Sequence, residues 1–242
     1  MLITTAALAI AVQVAAPVKA ATIELKGEPT RMSWSADGTQ LAIQTSERDS
    51  SGMTKNPRYY LVAAADGKLS TAPASPDWAE TYWTWKSDQS APWSPSSKID
   101  VKTDQKTVTS TSTPMGGDLA KGGTSGDPTG GSTMDEATQR KMGSQTLNVV
   151  TLRLMGETVG YFEGVQFIPG YTFSWAPKDY AAIAYVNQSG RVSVMDKDGR
   201  KQVLDGTKNA VLPAWSAEGT RIAFLQKAGK TKYELYVAPV TR

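Results

Sequence analysis

Five large aromatic residues fall between positions 78 and 93 of this chain: Trp78, Tyr82, Trp83, Trp85 and Trp93. Rings at this density either fill a core or form a stacking or protein-contact surface, where Trp and Tyr dominate binding energy. Trp83 and Trp85 are two apart, so an extended strand puts them on one face and Tyr82 on the other. Where a sheet packs against neighbours such positions are core. Trp78 and Trp93 lie outside that strand. The candidate binding residues are therefore Trp78, Tyr82 and Trp93.

Carboxylates offer a second chemistry. Asp196-Lys197-Asp198-Gly199 starts like a calcium loop, but Arg200 and Lys201 follow where further oxygen ligands would be needed. A turn accounts for it better, as it does for Asp37, Asp66, Asp88 and Glu218. A glycosidase needs only two carboxylates, and spacing alone nominates no pair.

Histidine and cysteine are both absent. A Ser-His-Asp triad, a histidine base, a thiol nucleophile, a disulfide and any His- or Cys-ligated metal are thereby excluded. No G-x-S-x-G elbow occurs, and the glycine-rich "MGGDLAKGGTSG" does not satisfy the phosphate-loop pattern. The expectation is a protein that is not an enzyme and uses no cofactor or metal. A net charge of +3, without a Lys/Arg block, makes no footprint for nucleic acid.

The elements that must position these residues are written as a repeat. "SWSADGTQLAI" around Trp34 returns as "AWSAEGTRIAFL" around Trp215, with "SWAPKDYAAIAYV" around Trp175 and a degenerate "TWKSDQSAPW" around Trp85. Each reads as a strand, a polar turn and a second apolar strand. A third strand follows every pair: "RYYLVAAADG", "LNVVTLRLMG", "RVSVMDKDG" and "KYELYVAPV". A fourth follows three of them: "GKLSTA", "ETVGYFEG" and "RKQVLDG".

Four-stranded units recurring at about 40–45 residues mark a β-propeller. The expected fold is all-β, a small propeller of four blades of four antiparallel strands. The last unit stops after its third strand, and "ATIELKG" from Ala21 resembles a fourth. Pairing this N-terminal strand with the last blade closes the ring and removes its exposed edges.

In these motifs the chain resembles the TolB-type propeller repeat, the WD-like repeat of bacterial envelope proteins. Trp34-Ser35-Ala36-Asp37-Gly38 and Trp215-Ser216-Ala217-Glu218-Gly219 match its Trp-Ser-Pro-Asp-Gly turn with Ala for Pro, and Val194-Met195-Asp196-Lys197-Asp198-Gly199 matches its third-strand end. The resemblance implies a propeller from a bacterial envelope; it speaks to fold rather than function.

Residues 1–20 are apolar from Leu2 to Val18 and end in Val18-Lys19-Ala20, with small residues three and one before Ala21. This predicts a signal peptide over 1–20, cleaved to release a single domain, 21–242, into the periplasm or the medium; an uncleaved anchor is the alternative. No membrane span is expected after cleavage. A Gly/Ser/Thr-rich flexible insertion of about 105–143 interrupts the second blade between its second and third strands, and "MDEATQRKMG" within it has the polarity of a short helix.

The functional expectation is a non-catalytic protein-interaction scaffold, since propellers gather loops from several blades on one face. A carbohydrate- or small-ligand-binding propeller, using Trp and acidic residues near the channel, is the alternative. A monomer is expected, with a strand-exchanged dimer as the variant.

Overall fold

The computed structural model describes residues 12–48, 54–79, 90–91, 94–109, 144–163, 166–167 and 172–242. Two short strands, β1 (Gln13–Val14) and β2 (Val18–Glu24), open the described chain. Blade one follows as β3 (Glu28–Trp34), β4 (Gln40–Arg48), β5 (Thr54–Ala63) and β6 (Leu69–Ala72), paired in that order. A small hairpin, β7 (Ser90–Ala91) with β8 (Ser94–Lys98), leads to the sheet β9 (Asp100–Thr109), β10 (Ser144–Leu154), β11 (Glu157–Glu163) and β12 (Gln166–Phe167). Blade three is β13 (Phe173–Trp175), β14 (Ala182–Val186), β15 (Val192–Asp196) and β16 (Lys201–Val203). Blade four is β17 (Ala210–Trp215), β18 (Arg221–Lys227) and β19 (Lys232–Thr241), with β2 and β1 both on the outer edge of β19. Four antiparallel sheets in a ring make a four-bladed, all-β propeller, as the repeat predicts.

Closure by the N-terminal strand is seen, and it is longer than the expected start at Ala21. β2 pairs with β19 from Glu24↔Lys232 to Val18↔Val237, and β1 continues along the same edge with Val14↔Val240 and Gln13↔Thr241.

The chain divides into two compact units, 1–102 with 150–242, and 103–149. In the second, the described residues are the ends of β9 and β10. The expected insertion of about 105–143 thus begins inside β9, and its 110–143 part, with the expected helix at 134–143, lies outside the described residues. The strands expected as third and fourth of the second repeat, β10 and β11, are instead the two central strands of their sheet, with β9 and β12 at its edges. Glu157, just after the β10–β11 turn, pairs with Lys201 of the outer strand β16 at 2.7 Å. The first strand predicted around Trp83 and Trp85 lies outside the described residues.

Strands buried on both faces read as apolar runs rather than as strict alternation. In β14, Ala182, Ala184 and Val186 enter the seam with blade four, while Ile183 and Tyr185 enter the seam with β10 and β11. In β18, Ile222 and Phe224 face blade three, and Ala223 and Leu225 face blade one. Phe224 stacks on Tyr236 with centroids 5.5 Å apart.

The repeated Trp-Ser-x-acid-Gly turn now has a physical account. Ser35 and Ser216 accept at Oγ from the backbone N–H of Gln40 and Arg221, at 2.9 and 3.0 Å. Asp37 accepts from the Ser35 hydroxyl at 2.6 Å and the Thr39 N–H at 3.1 Å, so serine and acid close the loop together. Both glycines hold a left-handed backbone, φ 66° at Gly38 and 81° at Gly219. They also receive the preceding blade: a Cβ on Gly38 would overlap the Arg221 guanidinium, and one on Gly219 the Tyr180 ring. Arg221 donates to the Gly38 carbonyl at 2.9 Å and lies 4.5 Å over the Trp34 ring. The Trp34 indole donates to the Ala214 carbonyl at 3.0 Å.

Candidate functional site

In an antiparallel meander, first-to-second and third-to-fourth turns fall at one end of each blade. Second-to-third turns and the connections between blades fall at the other. The first end is tied shut around blades three, four and one. Tyr180 sits against Gly219, with its ring 6.4 Å from that of Trp215, and Arg221 sits against Gly38. The second end opens between blades three and four into a groove of about 580 Å³.

Three segments line the groove. Val186, Asn187, Gln188 and Gly190 come from the β14–β15 turn; Asn209, Ala210 and Val211 from the start of β17; Lys227 and Gly229 from the β18–β19 turn. Main-chain bonds pin them together, with Ala210 N–H donating to the Gly190 carbonyl at 3.0 Å and Lys227 N–H to the Asn209 carbonyl at 3.4 Å. Asn187 locks its own turn, since Oδ1 accepts from the N–H groups of Ser189 and Arg191, at 3.0 and 3.1 Å. Val186 and Ala210 form a buried floor, while Gln188, Asn209 and Lys227 stand exposed on the rim.

The wall from β17 is strained. Asn209 has φ 57° and Leu212 φ 55°. Asparagine tolerates this region, but a buried leucine there is an outlier, and such strain persists only where the surroundings enforce it. The enforcing feature is a bulge: Val211 pairs with Leu225 and Ala214 with Ala223, leaving Leu212 and Pro213 opposite Phe224 alone. Gln226 pairs directly with Ala210, so both side chains share one face of the sheet. The Gln226 carboxamide oxygen is buried with no hydrogen-bond partner. Burying an acceptor unpaired is costly.

Among the described residues, the carboxyl groups with perturbed titration all move down. Asp37 is held low by the Ser35 hydroxyl and then by Thr39, and Glu157 by the Lys201 ammonium, against a smaller upward push from burial. The Lys19 ammonium and then the Tyr236 hydroxyl lower Glu234. A general acid needs the opposite shift. Among the described residues no group of three or more acidic side chains can hold a metal ion, and no helix is long and apolar enough to cross a membrane.

These shifts predict an acid limit. Carboxyls with lowered folded values take up protons on unfolding, so their stabilisation is complete above the ordinary values of 3.8 and 4.5 and is lost as pH falls below them. The melting temperature is expected to stay level from pH 7 to about 5 and to fall steadily below about 4. At the alkaline side it falls above about pH 10, because burial, then the Glu157 charge, raise Tyr185 and the unfolded phenol ionises first. Thermal scans across pH check both limits.

Of the candidate residues, Trp78 is half-buried and packs with Ala79 against Ala42, Tyr59 and Leu61 of blade one, apart from the groove. Tyr82 and Trp93 lie outside the described residues. Asn209 and Lys227 of the groove, and Leu212 beside it, went unnoticed in the sequence. The one signal, for Asn209 and Leu212, is "NAVLPAW", where an Asn and a Leu-Pro pair break an otherwise regular inner strand.

Fold and groove together define a four-bladed β-propeller with one end interlocked and the other open between two blades. Compared with known proteins, the chain matches no family model and no curated protein.

Proposed function

We propose that this chain is a non-catalytic scaffold of the bacterial cell envelope, of the TolB-type repeat class, that binds a protein partner in the groove between blades three and four. The observation that carries the reading is the groove itself. It joins an apolar floor at Val186 and Ala210, an exposed amine at Lys227 and a wall whose Asn209 is held in left-handed backbone. An apolar floor with a few fixed polar groups is the usual make-up of a recognition site. Export is supported by the apolar stretch that opens the chain from Leu2, and the repeat class by the paired Trp-Ser-Ala-acid-Gly turns.

Photo-crosslinking in the intact cell tests this. A photoreactive amino acid at Gln188 is expected to trap one discrete adduct, while the same group at Lys197, at the interlocked end, traps none. Lys227→Glu is expected to reduce the yield about tenfold, as the loss of a rim charge does. No adduct from Gln188, or the same adduct from both positions, refutes the reading.

A further inference from the structure

The sequence places a peptidase site between Ala20 and Ala21. In the fold that bond lies within β2. Val18 and Lys19 pair with Val237 and Tyr236 before it, and Ala21 and Thr22 pair with Leu235 and Glu234 after it. Upstream, Ala15 N–H donates to the Pro239 carbonyl at 2.8 Å, and β1 covers the end of β19.

Three blades hold this segment. Val14 is 5% exposed and belongs to the core of the seam between blades three and four, beside Val240 and Ala238. From blade three, Gln202 grips the Val14 main chain at two points. Val14 N–H donates to Gln202 Oε1 at 3.0 Å, and Gln202 Nε2 donates to the Val14 carbonyl at 2.6 Å. In blade four, Lys19 pairs with Glu234 at 2.6 Å. At blade one, Gly67 leaves room for the Ala20–Ala21 link: a Cβ there would stand 2.5 Å from the Ala21 methyl carbon and 3.2 Å from the Ala20 oxygen.

We propose that the mature protein keeps residues 12–20 as the first half of its closing strand, and that the Ala20–Ala21 bond is not its processing site. A cut there uncovers the edge of β19 from Tyr236 to Thr241, empties the seat of Val14 and leaves both polar ends of Gln202 without their partners. An uncovered edge is a template for pairing with another chain, which closed rings avoid.

The test uses the full chain produced in a bacterial host and recovered from its envelope fraction. Intact mass is expected to show a chain that includes Val12 onward. Gln202→Leu, made in the same full chain, is expected to lower the melting temperature by roughly 5 °C, the loss of two amide hydrogen bonds in a domain of this size. Had residues 12–20 been removed, Gln202 would have nothing there to lose. An N-terminus at Ala21, or a Gln202→Leu melting temperature within about 1 °C of the parent, overturns the proposal. The test takes export from the function proposed above. Failure of export shows separately, as recovery from the cytoplasmic fraction, and the Gln202→Leu comparison still decides the role of the strand.

Discussion

Trp34→Ala is expected to lower stability by about 3–5 kcal/mol, the range for removing a large aromatic from a core. Trp34 is 3% exposed in the seam where blade four meets blade one, among Leu41, Ile43, Leu225 and Leu235. Its indole N–H also holds the Ala214 carbonyl, and its ring carries the Arg221 guanidinium at 4.5 Å. Truncation removes all three contributions at the place where the ring is closed by non-local contacts. Trp34→Phe keeps an aromatic body and loses the donor, and is expected to cost about 1–2 kcal/mol. Urea unfolding of the two variants separates these effects. Equal losses would mean that packing at the seam carries little of the stability.

Gly219→Ala is expected to cost about 3 kcal/mol, roughly half from left-handed backbone and half from contact. Its φ is 81°, and the new methyl would occupy the position of the Tyr180 ring. Gly206 supplies the control, with φ 73° and no atom within 4 Å of an added Cβ. Gly206→Ala is therefore expected to cost only about 1–2 kcal/mol, the backbone part alone. In a Tyr180→Ala background the Gly219→Ala penalty is expected to shrink toward the Gly206 value, a coupling that a double-mutant cycle reads directly. Equal penalties with and without Tyr180 would show that the blade tips do not interlock.

Both effects bear on the geometry of the proposed binding groove. Interlocked tips fix the angle between neighbouring blades at one end. At the other end the main-chain bonds from Ala210 N–H to the Gly190 carbonyl and from Lys227 N–H to the Asn209 carbonyl hold the groove walls at a set distance. A preformed groove lowers the ordering cost of binding, which favours affinity without new contacts. The left-handed backbone of Asn209 in the groove wall, and of Leu212 just beyond it, is held by the surrounding structure rather than by local preference.

Much of the architecture could be read along the chain because it rests on short-range physics. Ser35, Asp37, Gly38 and Gln40 meet within one turn, so their types and spacing announce the turn wherever it occurs, and Ser216 to Arg221 announce it again. Apolar runs such as Ala182–Val186 report strands covered on both faces. The short "ATIELKG" strand, orphaned at one end of the chain, pointed to ring closure for the same reason: a missing fourth strand leaves an edge that must be paired. Aromatic density was a poorer guide. Trp78 proved to lie on blade one against Ala42 and Leu61, because a large ring near a sheet is drawn to apolar surface whatever else it might do.

The sequence by itself determined the blade, its turns, its repeat and the chemistry that the absence of histidine and cysteine rules out. Tertiary structure alone decided which blade fills which glycine, that Gln202 reaches 188 positions along the chain to Val14, and that a groove opens between blades three and four. The turn interactions span a few residues and repeat with the motif. The seam and groove contacts join residues distant in sequence, whose proximity arises only when the ring closes, and no local spacing records it.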